Sequence, residues 1–283
     1  MKIFLYIILM IIHSISMLGK RPTNEDQHEI IQNLDGAKDE LKNISIFGIF
    51  DGHGGKDVSK YLKNKLPQYF TMSHMNYDTN NHDKLKKYIE KVYDHVQTSL
   101  EKKLKNKSYN IGSTALVCLF YKKNKKINYD IINVGDCRAV KCNKDSIGIP
   151  LSKDHKPHLV DEKARIEKLG GEIIFDGEDW RIKDLSVSRA FGDMDATPYV
   201  THKPEIFKYS LKQNDKFIIL GCDGLWDVLS NQDAVDFVIN ELNTIDKLTD
   251  MYGYSKKNIA NQLANYAINS GSFDNVSVII IFL

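Results

Sequence analysis

Apolar positions along the chain fall into two kinds of run. Near-continuous stretches rich in β-branched and aromatic residues cover Ile44 to Phe50, Thr114 to Tyr121, Ile127 to Val134, Ala139 to Cys142, Lys216 to Cys222 and Val276 to Leu283, and these predict strands. Thr114 to Tyr121 and Ile127 to Val134 flank Lys122-Lys123-Asn124-Lys125-Lys126 and read as an antiparallel hairpin with a solvated turn. Helical spacing takes over at Val58, Tyr61, Leu62 and Leu66, and again at Leu85, Tyr88, Ile89, Val92, Val96 and Leu100, giving two amphipathic helices whose stripes face the core. Further helices are expected from Asp161 to Leu169, stopped by Gly170-Gly171, from an N-cap at Ser230 through Leu242, and from Ser255 through Ile268. The polar stretch Thr71 to Asp83 reads as a surface loop. Strands grouped with strands and helices with helices imply α+β layering with antiparallel sheets in one domain.

Three acidic stretches place an aspartate where a predicted strand gives way to a turn: Phe50-Asp51-Gly52-His53-Gly54-Gly55, Gly221-Cys222-Asp223-Gly224 and Asp274-Asn275. Carboxylates converging at a sheet rim repel one another unless cations neutralise them. An all-oxygen donor set suits a hard ion such as Mg²⁺ or Mn²⁺.

Composition narrows the alternatives. The 283 residues, 42% hydrophobic and 27% charged, suffice for one sizeable core. A net charge of +2 and the lack of an aromatic-basic stripe argue against nucleic acid as a partner. The cysteines Cys118, Cys137, Cys142 and Cys222 have no zinc-type spacing and read as free buried thiols of a reducing, cytoplasmic compartment. Neither a Gly-x-Ser-x-Gly elbow nor a His-x-x-x-His zinc motif is present. Basic positions are overwhelmingly lysine, so Arg21, Arg138, Arg165, Arg181 and Arg189 mark places where a planar fork is wanted for phosphate or carboxylate.

The start of the chain admits three readings. Lys2 followed by the apolar run Ile3 to Ile12 has the form of a signal peptide with a cleavage site at Ser14-Ile15-Ser16, or of an uncleaved membrane anchor. The third, favoured reading makes Ile12 to Met17 the first core strand, leading into Arg21, with residues 1–11 as a separate apolar segment. At the other end the chain stops within a few residues of Val276 to Leu283, so no C-terminal regulatory extension is expected.

Seven blocks occur in order: Arg21-Pro22-Thr23-Asn24-Glu25-Asp26, Phe50 to Gly55, Gly112-Ser113-Thr114-Ala115, Asn133-Val134-Gly135-Asp136-Cys137-Arg138-Ala139-Val140, Leu185-Ser186-Val187-Ser188-Arg189-Ala190-Phe191-Gly192-Asp193, Cys222-Asp223-Gly224-Leu225-Trp226-Asp227, and Asp274-Asn275-Val276-Ser277. Together they resemble the metal-dependent serine/threonine protein phosphatases of type 2C, over residues 12–283. The resemblance implies a four-layer α-β-β-α sandwich of two antiparallel sheets flanked by helices, with a binuclear metal centre at one end. It implies that Asp51 bridges two Mg²⁺ or Mn²⁺ ions, that Asp223 and Asp274 complete the first, and that Glu25 and the Gly52 carbonyl hold the second. Asp26 would bind through a water, and Asp136 with Asp223 would hold a third, weaker ion. Phosphorylated proteins are the implied partners, and a monomer is expected.

The implied reaction is hydrolysis of phosphoserine and phosphothreonine by a water bridging two cations. Such esters need barrier lowering of up to ~20 kcal/mol, and paired ions supply much of it by activating water and neutralising phosphate. Arg21 would grip two phosphate oxygens, a surface salt bridge being the alternative. His53 would protonate the departing alkoxide, with metal ligation or a structural role as alternatives. Gly112 to Ala115 are expected to allow close sheet packing, Trp226 to anchor the Asp223 turn, Arg189 and Asp193 to pair, and Asp227 to support the ligands from behind. One segment departs from the family: Trp180-Arg181-Ile182-Lys183-Asp184 lacks the usual glycine and is a residue shorter, beside the region where relatives carry a flap. A second reading, an inactive phosphoprotein-binding member, gains nothing from the sequence, because no ligand position is lost.

Overall fold

The computed structural model describes residues 10–32, 44–71, 82–123, 126–248 and 258–283. Residues 1–9, nearly all of the loop expected at Thr71 to Asp83, the hairpin tip 124–125 and the expected helix start at Ser255 lie outside that range. Two five-stranded antiparallel sheets form the centre. One runs in the order Ile11–Met17, Val276–Phe282, Phe217–Gly221, Arg138–Cys142, Gly148–Pro150; the other runs Glu205–Ser210, Lys126–Val134, Ala115–Lys123, Ser45–Phe50, Gln27–Ile31.

Side-chain alternation explains why the strands read as continuous apolar runs. Along Val276–Phe282, Ile279 and Ile281 point between the sheets with Phe47, Ile49, Leu116, Ile131, Ile218 and Leu220. Val278 and Ile280 point the other way, onto Leu225, Val235, Val238 and Leu263 of the helices. The second sheet does likewise, turning Ile46, Val117 and Ile132 toward Val58, Leu62, Leu85 and Ile89. Burial on both faces of both sheets leaves few polar positions in the strands. The result is four layers.

The long helices run Asp57–Thr71 and His82–Leu104 over one sheet, and Asn231–Leu248 and Ile259–Asn269 over the other. Ser230 caps its helix through reciprocal bonds with Asp233, Asp233 N to Ser230 Oγ and Ser230 N to Asp233 Oδ2. That helix continues past the expected end at Leu242. The next begins at Ile259, four residues after Ser255, with Asn258 as its N-cap, whose side chain accepts from Asn261 N. Ile11–Met17 is indeed a strand, paired along its length with Val276–Phe282, so a cut at Ser14 to Ser16 would divide a sheet strand. Among the described residues no helix is long and apolar enough to cross a membrane.

A smaller unit projects from the sandwich. Val160–Lys168, the hairpin of Ile174–Phe175 with Trp180–Arg181, and the stretch to Val200 enclose Ile166, Ile182, Val187 and Ala196. Glu162 holds it together, taking Arg165 Nη2 at 2.8 Å and Arg189 Nη2 at 2.5 Å.

Candidate metal centre

The site is built where strands of both sheets end. Ser45–Phe50 stops at Asp51, Phe217–Gly221 stops before Asp223, Lys126–Val134 stops before Asp136, and Asp274 precedes Val276–Phe282. The Asp51 turn is pinned to the next strand, with Asp51 N donating to Thr114 Oγ1 at 3.1 Å and Thr114 N to Asp51 O at 2.8 Å. Trp226 braces the Asp223 turn from beneath, its indole N–H donating to the carbonyls of Gly221 at 3.0 Å and Arg138 at 3.1 Å.

Asn275 fastens the N-terminal loop to this rim. Its side-chain amide donates to Leu18 O at 2.8 Å and Thr23 O at 3.0 Å, while Oδ1 accepts from Glu25 N at 2.9 Å. Glu25 Oε2 in turn accepts from Gly55 N at 2.9 Å, so the Glu25 carboxylate lies against the Asp51 to Gly55 loop. Arg21 Nη2 reaches Asp274 Oδ2 at 2.6 Å. Gly52 has no room for a side chain, since a Cβ would sit 2.6 Å from the Glu25 carbonyl.

Burial and crowding leave Asp51, Asp223 and Asp26 reluctant to ionise. Burial first, then the charges of Asp26, Asp223, Asp136 and Asp274, push Asp51 well above the carboxylate range. Asp223 is raised the same way, by burial and then by Asp136, Asp227 and Asp274. Burial carries Asp26 up to about 6. Among the described residues, Asp26 Oδ2 is buried without a hydrogen-bond partner. Such a set of acids is destabilising as anions by itself and fits divalent cations, which would restore the charged forms. Cys222 belongs to the same group: its Sγ and one oxygen each of Asp51 and Asp223 lie within 4.8 Å of one another.

The profile of protein phosphatase 2C matches residues 12–276. The chain belongs to the protein phosphatase 2C family. A PP2C-like domain-containing protein of Acanthamoeba polyphaga mimivirus is 51% identical over 176 residues, 56% of this chain and 97% of that protein. Protein phosphatase 1L of Bos taurus is 36% identical over 81% of this chain, and probable protein phosphatase 2C 11 of Arabidopsis thaliana 37% identical over 94%. The chain spans 63% and 64% of those two longer proteins. Among solved structures, serine-threonine phosphatase 2C from Toxoplasma gondii shares the fold with a TM-score of 0.79, 22% identity, and coverage of 96% of this chain and 94% of that one. Phosphatases 2C generally depend on Mg²⁺ or Mn²⁺.

Within this phosphatase 2C chain, the predicted site residues Arg21, Glu25, Asp26, Asp51, Gly52, His53, Asp136, Asp223 and Asp274 gather at one end of the sandwich. Two expectations change. Arg189 does not pair with Asp193; its guanidinium lies on Glu162, and Asp193 Oδ2 instead accepts from His53 Nε2 at 2.7 Å. An arginine and an aspartate four positions apart meet on a helix, but this segment is not helical, and extended backbone separates such a pair by roughly 13 Å. The other change is Lys156, absent from the expected set, whose Nζ lies 2.6 Å from Asp136 Oδ2. No local pattern singles it out, because its meaning comes from a turn 20 residues earlier.

All five arginines hold carboxylates: Arg21 on Asp274, Arg138 on Asp154, Arg165 and Arg189 on Glu162, Arg181 on Asp176. All four cysteines are free and buried.

Proposed function

We propose that this chain hydrolyses phosphoserine and phosphothreonine in proteins with two Mg²⁺ or Mn²⁺ ions. Asp51, Asp223 and Asp274 with Glu25 and the Gly52 carbonyl would hold the ions, and Asp26 would contribute through a water. The observation that carries this is the gathering of Asp26, Asp51, Asp136, Asp223 and Asp274 into one mutually repelling cluster in a member of the phosphatase 2C family. When bound, the ions supply Lewis acidity toward phosphate and water.

The chain's own groups do the rest. Arg21, 57% exposed and fixed by Asp274, presents its remaining N–H groups to the substrate and orients phosphorus. His53 is held on Asp193 and protonates the serine or threonine oxygen as it leaves, since that alkoxide is too basic to depart unaided. Burial opposes charge on the imidazole, but the Asp193 hydrogen bond and the charges of Asp193, Asp136 and Glu25 outweigh it and raise its pKa. The protonated form is the one an acid needs. Buried free thiols support a reducing compartment as the setting.

The test is turnover of para-nitrophenyl phosphate and a phosphothreonine peptide with Mn²⁺, Mg²⁺ or chelator. Metal-dependent hydrolysis lost in Asp223→Asn is expected. Activity in chelator, or full activity of Asp223→Asn, would overturn the mechanism; a folded chain with no turnover would favour a phosphoprotein-binding role.

A further inference from the structure

Besides Arg21 on Asp274, the acidic cluster contains a second cation of the chain's own, and a more buried one. Lys156 Nζ lies 2.6 Å from Asp136 Oδ2, with 16% of its side chain exposed. Its placement is enforced from both sides. Arg138 clamps Asp154 through two parallel bonds, Nη2 to Oδ2 at 2.6 Å and Nε to Oδ1 at 3.0 Å. His155 N donates to Gly135 O at 3.0 Å, and Gly135 N donates back to His155 Nδ1 at 3.1 Å. Asp154 and His155, the two residues before Lys156, are thus locked onto the turn that carries Asp136.

An ammonium at contact distance from Asp136 and a divalent ion on the same carboxylate would repel each other strongly at such low exposure. A second acceptor waits for the ammonium: Asp179 Oδ2, 3.9 Å from Nζ and at the start of the Trp180–Arg181 strand, is 32% exposed. We propose that Lys156 is a tethered competitor for the third metal ion, so that a divalent cation reaches Asp136 and Asp223 only as the ammonium leaves Asp136 for Asp179. This rests on the two-ion reading above, extended by the weaker third ion that the family resemblance implies for Asp136 and Asp223. The ligands proposed for the first two ions include no Lys156 partner except through the shared field of Asp223, so the competition falls mainly on the third. Ion occupancy is thereby linked to the hairpin that carries Asp179.

The test is Mn²⁺ binding to the full chain, read from the electron paramagnetic resonance of free Mn²⁺. Lys156→Met should tighten the weakest site by about tenfold or more, and Asp136→Asn in the same chain should abolish the gain. Unchanged or weaker binding of that ion in folded Lys156→Met overturns the competition. A wild-type chain that binds no Mn²⁺ overturns the two-ion reading instead. Wild-type protein gives an independent readout should Lys156→Met not fold: amine acetylation of Lys156, followed by mass spectrometry, should rise as Mn²⁺ passes two equivalents. Acetylation that stays flat or falls over that range overturns the proposal.

Discussion

His53 and Asp193, 140 positions apart, meet with Nε2 2.7 Å from Oδ2. Two short pairings bring them there: Gly52-His53 on Gly112-Ser113, and Gly112-Ser113 on Phe191-Gly192. A Cβ at position 112 would overlap both Asp193 Oδ2 and His53 Nε2, so glycine is required between them. Asp193 is a positioning residue, 1% exposed, that fixes the ring and favours its charged form. Asp193→Asn should slow a phosphothreonine peptide by roughly 10²-fold, the lower range for losing a general acid. Para-nitrophenyl phosphate, whose leaving group needs no proton, should slow far less, and Asp193→Asn added to His53→Ala should cost little more. Equal losses on the two substrates would contradict the acid role.

Glu162 gives a pH signature in stability. Burial opposes its charge, yet hydrogen bonds from Arg189 and Arg165 overcome that and hold its pKa at about 2. A carboxyl depressed on folding stabilises the native state fully above its unfolded pKa of roughly 4.3 and loses that contribution as pH falls through the folded value. Glu162→Gln strands two guanidinium groups and should destabilise at neutral pH by ~3 kcal/mol. The difference in thermal midpoint between wild type and Glu162→Gln should narrow from about pH 4 downward. A gap that is constant from pH 7 to pH 3 would show that the ion pairs contribute nothing.

The layers were legible in the sequence because strands buried on both faces leave unbroken apolar runs, as along Val276–Phe282, and helices over them leave a stripe, as from Leu85 to Leu100. Gln27–Ile31 and Glu205–Ser210 escaped notice because both lie at sheet edges and remain half-exposed, mixing polar with apolar positions. The pairings of Gly52-His53, Gly112-Ser113 and Phe191-Gly192 are two residues long and have no period to detect. Asp51 and Asp223 stood out because their turns follow recognisable strands, and Asp274 because it stands just before one rather than at the end of one. Their partners did not: the Asp193 contact with His53 and the Lys156 contact with Asp136 are set by tertiary approach alone.

Arg21 bonds Asp274 while more than half exposed, which leaves part of its fork for a ligand. Asp274 accounts for the raised pKa of Arg21, through the hydrogen bond and then its charge. Arg21→Lys keeps the charge but not the planar double contact. Its KM for the phosphothreonine peptide should rise roughly tenfold, the scale of one charge-assisted hydrogen bond, with little change in thermal midpoint. An unchanged KM would leave Arg21 with the salt bridge alone.

The segment Ile182 to Leu185 makes a tight turn without glycine. Ile182 N donates to Leu185 O and Leu185 N to Ile182 O, both at 3.0 Å, and the two residues between have positive φ, 51° at Lys183 and 67° at Asp184. Two left-handed residues in succession are the pattern of a type I′ hairpin, which asparagine, aspartate and glycine tolerate and lysine does not favour. Ile182 is buried in the core of the projecting unit, and Arg181 Nη1 donates to Asp184 O at 3.0 Å, so neighbours hold the turn in place against its preference. Lys183 is exposed, and its replacement alters backbone preference and little else. Lys183→Gly should therefore raise stability by about 0.5–1 kcal/mol, the relief of a left-handed residue less the entropy glycine adds to the unfolded chain. Lys183→Val, branched at Cβ, should lower it by at least as much. Chemical denaturation of the three proteins measures both signs, and a loss in Lys183→Gly as large as that in Lys183→Val would mean that the turn carries no such strain.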